Sequence, residues 1–262
     1  MIDVQSFSDD REVPLKKVGV KGVRYPITVL DKALGVQHTT ATVDLFANLP
    51  KHFKGTHMSR FIEAFQRHRA DLSMPRFLEM LAEIRSDLEA DAAFGAIAFP
   101  YFVEKTAPAS LLVSAMSYDC RYEGSVRRGG KDFTVSVAVP VTTVCPCSKA
   151  IADRGAHNQR GIVKVEVEYS SFFWIEDLIA IVENAASSPV FTLLKREDEK
   201  ILTEHAYDNP KFVEDLVRDV YIGIRSLERF PRFSVEAENF ESIHNHSAFA
   251  YAEYGSREGA SR

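Results

Sequence analysis

Cysteine is scarce in this chain: three residues, Cys120, Cys145 and Cys147, among 262. An odd, sparse set cannot staple a chain of this length, which excludes a disulfide scaffold and points to a reducing, cytoplasmic setting. Long apolar runs are missing too, and nothing approaches the ~20 residues that a membrane-spanning helix needs. The start, Met1-Ile2-Asp3-Val4-Gln5, has neither the basic nor the apolar region of a secretory signal. Basic charge is not in excess. Thirty-two Lys and Arg stand against 37 Asp and Glu, a net charge of −5. Nucleic acid is therefore not the expected partner, and an anionic substrate would have to meet a local basic cluster. Glycine-rich phosphate loops of the Walker or dinucleotide type are absent. What is present, 45 % apolar and 26 % charged residues, suits one large or two moderate globular domains.

Hydrophobic periodicity divides the chain. Residues 1–23 are polar, lack a sustained period and read as an N-terminal arm. Tyr25–Leu30 is strand-like, and Ala41, Val43, Leu45, Ala47 and Leu49 alternate as a half-buried strand does. Met58, Phe61, Ile62 and Phe65 fall at helical spacing behind Thr56 as N-cap. Phe77, Leu81, Ile84 and Leu88 mark a second helix, opened by Ser73 and Pro75. Residues 94–104 and 110–125 return to strand. After Gly129-Gly130 a similar order begins again, with strands from Phe133 to Val141 and over Ile162–Tyr169. Ile175, Leu178, Ile179 and Val182 predict a helix, and a charged connector follows. Val213, Leu216, Val217, Val220, Ile224 and Leu227 predict a longer helix, capped by Asn209 with Pro210 at its first position. Phe233, Val235 and Ala237 open a last strand pair reaching Tyr254, before a frayed tail at 255–262. The expected class is α+β. Two modules, 24–128 and 129–254, each run strand, strand, helix, helix, strand, strand, with antiparallel sheets and helices on one face.

The densest chemistry lies in Val144-Cys145-Pro146-Cys147-Ser148-Lys149. In an extended backbone Cys145 and Cys147 would face the same side. Buried, inert thiols are one reading; the polar, partly basic surroundings favour a metal ligand or a reactive thiol. His157 follows in Ala156-His157-Asn158-Gln159-Arg160, and His244 and His246 would share a side of an extended segment near the C-terminus. Thiolate with imidazole is the ligand set of zinc and its neighbours, and a catalytic site keeps one position open for water. A carboxylate could complete it. Glu197-Asp198-Glu199 offers one, although on composition alone that run reads as a solvated charged face. Glu214 has two open readings: a surface ion pair with Arg218 at i+4, or a carboxylate at a pocket rim. In the second it could accept two hydrogen bonds from an amidine-like edge, such as N1–H and the 2-amino group of guanine.

Taken in order, several segments resemble GTP cyclohydrolase IB, the prokaryotic type. They are Val18-Gly19-Val20-Lys21, Lys54–Phe61, Pro140–Lys149, Ala156–Arg160, Leu193-Leu194-Lys195-Arg196, Asn209–Asp215 and Glu238–Ala248. The resemblance implies a bimodular tunnelling fold assembling as a homotetramer, with active sites between subunits. It implies conversion of GTP and water to formate and 7,8-dihydroneopterin triphosphate, at the entry to folate-type pterins. By the same resemblance Cys145, His157, Glu199 and His244 hold one divalent metal per subunit, zinc, manganese or iron. Cys147 is then a substrate-contacting thiol and Glu214 the carboxylate that anchors the purine. Glu197 departs from the pattern, which leads one to expect proline there. With those roles set, His246 is the expected proton carrier near neutrality, and Arg60, Lys195 and Arg196 are expected to meet the triphosphate. Two rivals remain at this point: a metal-free tunnelling-fold nitrile reductase with a cysteine nucleophile and NADPH, and a non-catalytic purine- or pterin-binding tetramer.

Overall fold

The computed structural model describes Gln5, Phe7 and residues 9–255, so most of the expected tail lies outside the described residues. The chain divides into two compact units, one formed by residues 1–100 and 121–135, the other by residues 101–120 and 136–262.

In the first unit, β1 (Leu15–Asp31) pairs antiparallel with β2 (Gly35–Leu49), which pairs with β3 (Ala92–Thr106). Residues 15–23, expected as part of an arm, are strand. Their alternation is hidden by a bulge between Val20 and Val23. There Gly22 takes a φ of +72° and its N–H donates to Asp44 Oδ1 at 2.7 Å. Helices α1 (Met58–His68) and α2 (Met74–Asp87) follow β2. The residue before α1 is His57, without a side-chain cap bond, so Thr56 is not the N-cap; α2 opens at Ser73 with Pro75 in its first turn, as expected. Gly95 of β3 lets α2 approach closely, since a Cβ there would lie 2.8 Å from Leu81 Cδ2. Phe77 stacks on Phe133 at 4.9 Å between ring centroids. Strand β3 and strands β4 (Val113–Arg127) and β5 (Gly130–Val144) contribute to both units.

The second unit carries α3 (Pro146–Ile151), β6 (Asn158–Glu168), α4 (Ile175–Ala185), β7 (Ser188–Pro189), α5 (Arg196–Asp208), α6 (Val213–Arg225), β8 (Phe233–Phe240) and β9 (Ser247–Tyr254). Its strands run β5-β6-β8-β9, with the two-residue β7 paired to β5. The inward side chains are Val137, Val139 and Val141, then Val163, Val165 and Val167, then Val235 and Ala237, all fully buried. Burying each such valine stabilises the fold by about 1.5–3 kcal/mol relative to exposure. Leu178 and Val182 of α4 and Leu216 and Val220 of α6 complete this core. The close approach of these helices needs Gly223, where a Cβ would lie 2.7 Å from Ile181 Cγ2.

Three local expectations change here. The charged connector is helix α5. Only Asp198 and Ala206 of its 13 residues are buried, so it has no apolar stripe to announce it. The backbone at Cys145–Cys147 is not extended: Cys145 is the N-cap of α3 and Pro146 sits in its first turn, where a missing N–H costs nothing. The last helix starts at Val213 behind Phe212, later than Asn209-Pro210 suggests, and Asp215 Oδ2 accepts from Phe212 N–H at 3.2 Å. Among the described residues no helix is long and apolar enough to cross a membrane.

Candidate active site

Strand ends in the second unit converge on a cavity of about 250 Å³. Cys145 N–H donates to His157 O at 3.1 Å, closing the end of β5 onto the start of β6. Lys211 N–H donates to Val144 O at 3.0 Å, which brings the entry to α6 to the same place. Antiparallel pairing of β6 with β8 sets Gly161 opposite Asn239, so the loop after β8 hangs over the start of β6. Cys145, His157, Glu214, His244 and His246 all line this cavity. Although residues 241–246 are loop rather than strand, the His244 and His246 rings stack 5.2 Å apart.

His157 is tightly placed. Its N–H donates to Ser148 Oγ at 2.9 Å, and its Nδ1 lies 3.1 Å from Gln159 Oε1, while Gln159 Nε2 donates to Thr143 Oγ1 at 2.9 Å. An amide oxygen only accepts, so in the contact with Gln159 it is Nδ1 that donates, and Nε2 takes no part in that bond. Cys145 is half-buried, and its Sγ accepts from Ser148 N–H at 3.5 Å. Glu241 Oε2 stands 3.9 Å from His157 Nδ1 and is buried with no hydrogen-bond partner among the described residues, as is Asn239 Oδ1. Unpaired buried oxygens are costly, and both residues line the cavity.

Among the described residues, no three His, Cys, Asp or Glu side chains form a ready-made metal-binding group. The donors lining the cavity still suit a divalent ion: the Cys145 thiol, the three imidazoles of His157, His244 and His246, and the Glu241 carboxylate.

Glu199 lies elsewhere, lining a second cavity of about 400 Å³ with Val144, Asn158 and Arg160. Alternation along β6 turns Asn158 and Arg160 to the opposite face from His157 and Gln159. Its neighbour Asp198 is fully buried, contrary to the solvated-run reading. Asp198 accepts from Ala109 N–H (2.8 Å), Ser110 N–H (2.9 Å), Ser110 Oγ (2.6 Å) and Lys195 N–H (2.8 Å). Burial raises its pKa, but these hydrogen bonds outweigh it and hold the carboxyl well below the usual range. Cys147 is exposed on α3 and lines neither cavity. Lys195 and Arg196 are exposed at the start of α5. Arg60 lies in the first unit, with Nη1 donating to Asp87 O at 2.6 Å.

Glu214 resolves one ambiguity. Arg218 pairs with Asp215, Nη1 to Oδ1 at 3.5 Å, while Glu214 is exposed and has no partner among the described residues. Gln159, Lys211, Asn239 and Glu241 were not singled out by sequence. Of these, Gln159 stood in the same quoted motif as His157, two residues further on.

The profile of the type I GTP cyclohydrolase folE2 family matches residues 1–250. The chain belongs to that family. It is 53 % identical over 253 residues to the GTP cyclohydrolase FolE2 of Syntrophus aciditrophicus, covering 97 % of this chain and 99 % of the relative. It is 52 % identical over 257 residues to the FolE2 of Syntrophotalea carbinolica, covering 98 % and 96 %. Among solved structures it is similar to the uricase of Arthrobacter globiformis, with a TM-score of 0.52 and 10 % identity, covering 94 % of this chain and 95 % of that one. The uricase from Bacillus fastidious gives a TM-score of 0.53 at 10 % identity, with 92 % of each chain covered. The chain thus has the bimodular tunnelling fold, α+β with antiparallel sheet and helices on one face.

Proposed function

We propose that this chain is a metal-dependent GTP cyclohydrolase of the prokaryotic type IB form. It converts GTP and water to formate and 7,8-dihydroneopterin triphosphate, the first step towards folate-type pterins, in the cytoplasm. One observation carries the reading: a single cavity gathers Cys145, His157, His244 and His246 with the carboxylate-bearing Glu214. Relatives named GTP cyclohydrolase FolE2 at half identity over nearly the whole chain support it.

Cys145, His157 and His244 would hold one divalent ion per subunit, zinc, manganese or iron, with Glu199 as the fourth protein ligand. Such an ion supplies Lewis-acid polarisation and activation of water for hydrolysis at C8 of guanine. Glu214 accepts from N1–H and the 2-amino group and fixes the ring, an orientation effect. His246 exchanges protons with the substrate during ring opening and reclosure. Cys147 touches the substrate, and Arg60, Lys195 and Arg196 meet its triphosphate. These residues and Glu199 do not line the cavity of their own chain, which fits a homotetramer whose sites are completed between subunits.

The test is incubation of zinc-, manganese- and iron-reconstituted protein with GTP, assaying formate and the oxidised pterin by fluorescence and mass. Formate release that EDTA abolishes and metal restores is expected. A nitrile reduced at the expense of NADPH, with no formate from GTP under any of the three metals, would overturn the proposal.

A further inference from the structure

The charges expected to meet the nucleotide lie outside the 250 Å³ cavity, but its lining includes one ammonium, that of Lys211, beside the three imidazoles. Its backbone N–H is tied to Val144 O, and the next N–H, of Phe212, is tied to Asp215 Oδ2. The short segment from Lys211 to Glu214 is thereby fixed between the end of β5 and the first turn of α6. The ammonium is directed as well. Nζ donates to Asp219 Oδ2 at 2.6 Å and has no other partner among the described residues. An ammonium has three N–H donors, so two remain to offer.

We infer that Lys211 donates to the 6-oxo group of the purine and, with Glu214, reads guanine on one edge. This rests on the purine-anchoring role proposed for Glu214. That edge presents, in succession, an acceptor (O6) and two donors (N1–H and the 2-amino group). A carboxylate meets the donors, and a cation on the same fixed segment meets the acceptor. Adenine inverts the first two positions and lacks the third: its 6-amino group would point N–H at the ammonium, its bare N1 would face the carboxylate, and it has no 2-amino group. Sites built on such polar pairs reject the mismatched analogue strongly, because their own groups are left unpaired. The pairing with Asp219 also favours ring recognition over phosphate binding, since it neutralises the charge while keeping the direction of the remaining N–H groups.

The experiment compares wild type, Lys211→Met and Lys211→Arg in the metal-reconstituted enzyme, measuring kcat and KM for formate release from GTP and from 6-thioguanosine triphosphate. Sulfur at position 6 accepts hydrogen bonds poorly. Lys211→Met is expected to raise KM for GTP about 10- to 100-fold, the loss of one charge-assisted hydrogen bond, with kcat changed far less. It should also erase most of the preference for GTP over the thio analogue, and Lys211→Arg should restore much of it. An equal loss with both nucleotides would mean a phosphate contact and overturn the assignment, as would an unchanged KM. If wild type releases no formate at all, the reading beneath it falls too, and that result is distinct from formate release with unaltered selectivity.

Discussion

Glu214→Ala separates a binding carboxylate from a surface charge. The side chain is exposed in the first turn of α6 and has no partner among the described residues, and Arg218 is engaged by Asp215. Removing it therefore costs the fold little. It forfeits a favourable interaction with the helix N-terminus of about 0.3–1 kcal/mol, partly offset by the better helix propensity of Ala. Substrate binding should suffer far more. Two hydrogen bonds to a charged acceptor are worth about 1.5–3 kcal/mol each, or about 3–6 kcal/mol together. At 1.4 kcal/mol per decade this is a loss of about 10² to 10⁴ in kcat/KM. The assay is steady-state formate release from GTP, run beside thermal unfolding, metal content and sedimentation. A variant with lowered melting temperature and kcat/KM within about threefold of wild type (under 1 kcal/mol) would refute the reasoning. Arg218→Ala is the control: it breaks only the Asp215 pair and should leave turnover unchanged.

Cys145→Ala should lose most bound metal, whereas Cys147→Ala should keep near-stoichiometric metal and lose turnover; metal content and formate assays on both variants decide this. Among the three thiols, exposed Cys147 should react first with an alkylating reagent and buried Cys120 last, as peptide mass mapping would show. Asp198 should contribute to acid stability. Its folded-state pKa is depressed, so the contribution is complete above the unfolded value of about 3.9 and is lost as pH falls through the folded value. Asp198→Asn should flatten the acid limb of the unfolding curve, and an unaltered limb would count against that role. Leu178→Ala, at a fully buried site of α4, should cost about 2–5 kcal/mol in denaturant titration without changing metal content. Activity per chain should fall on dilution through tetramer dissociation, and a fully active monomer in sedimentation at assay concentration would contradict sites shared between subunits.

The fold was legible wherever one face of an element is buried. The valines of β5, β6 and β8 alternate without interruption, and the stripes of α4 and α6 have the period of a helix against a sheet. Legibility failed where burial does not follow a period. Helix α5 buries two residues, and its placement comes from Asp198, a carboxylate saturated by donors from a distant loop. The bulge at Gly22 breaks the alternation of β1 for a reason visible only once Asp44 stands opposite. At the site, residue types carried part of the message: the Cys145 thiol and imidazoles up to about a hundred residues away do line one cavity, while the neighbouring Cys147 thiol does not. Spacing misled at Cys145–Cys147, where Pro146 opens a helix instead of ending a strand. Lys211, Asn239 and Glu241 stayed silent because their importance lies in what surrounds them: a paired ammonium and two buried oxygens without donors.

The most direct test follows the carbon atom on which the account turns. GTP carrying carbon-13 at C8 is incubated with the metal-reconstituted enzyme and followed by NMR. The account predicts that the C8 resonance is replaced by that of free formate, one formate for each pterin formed. Label retained in the nucleotide, or a pterin formed without labelled formate, would contradict it.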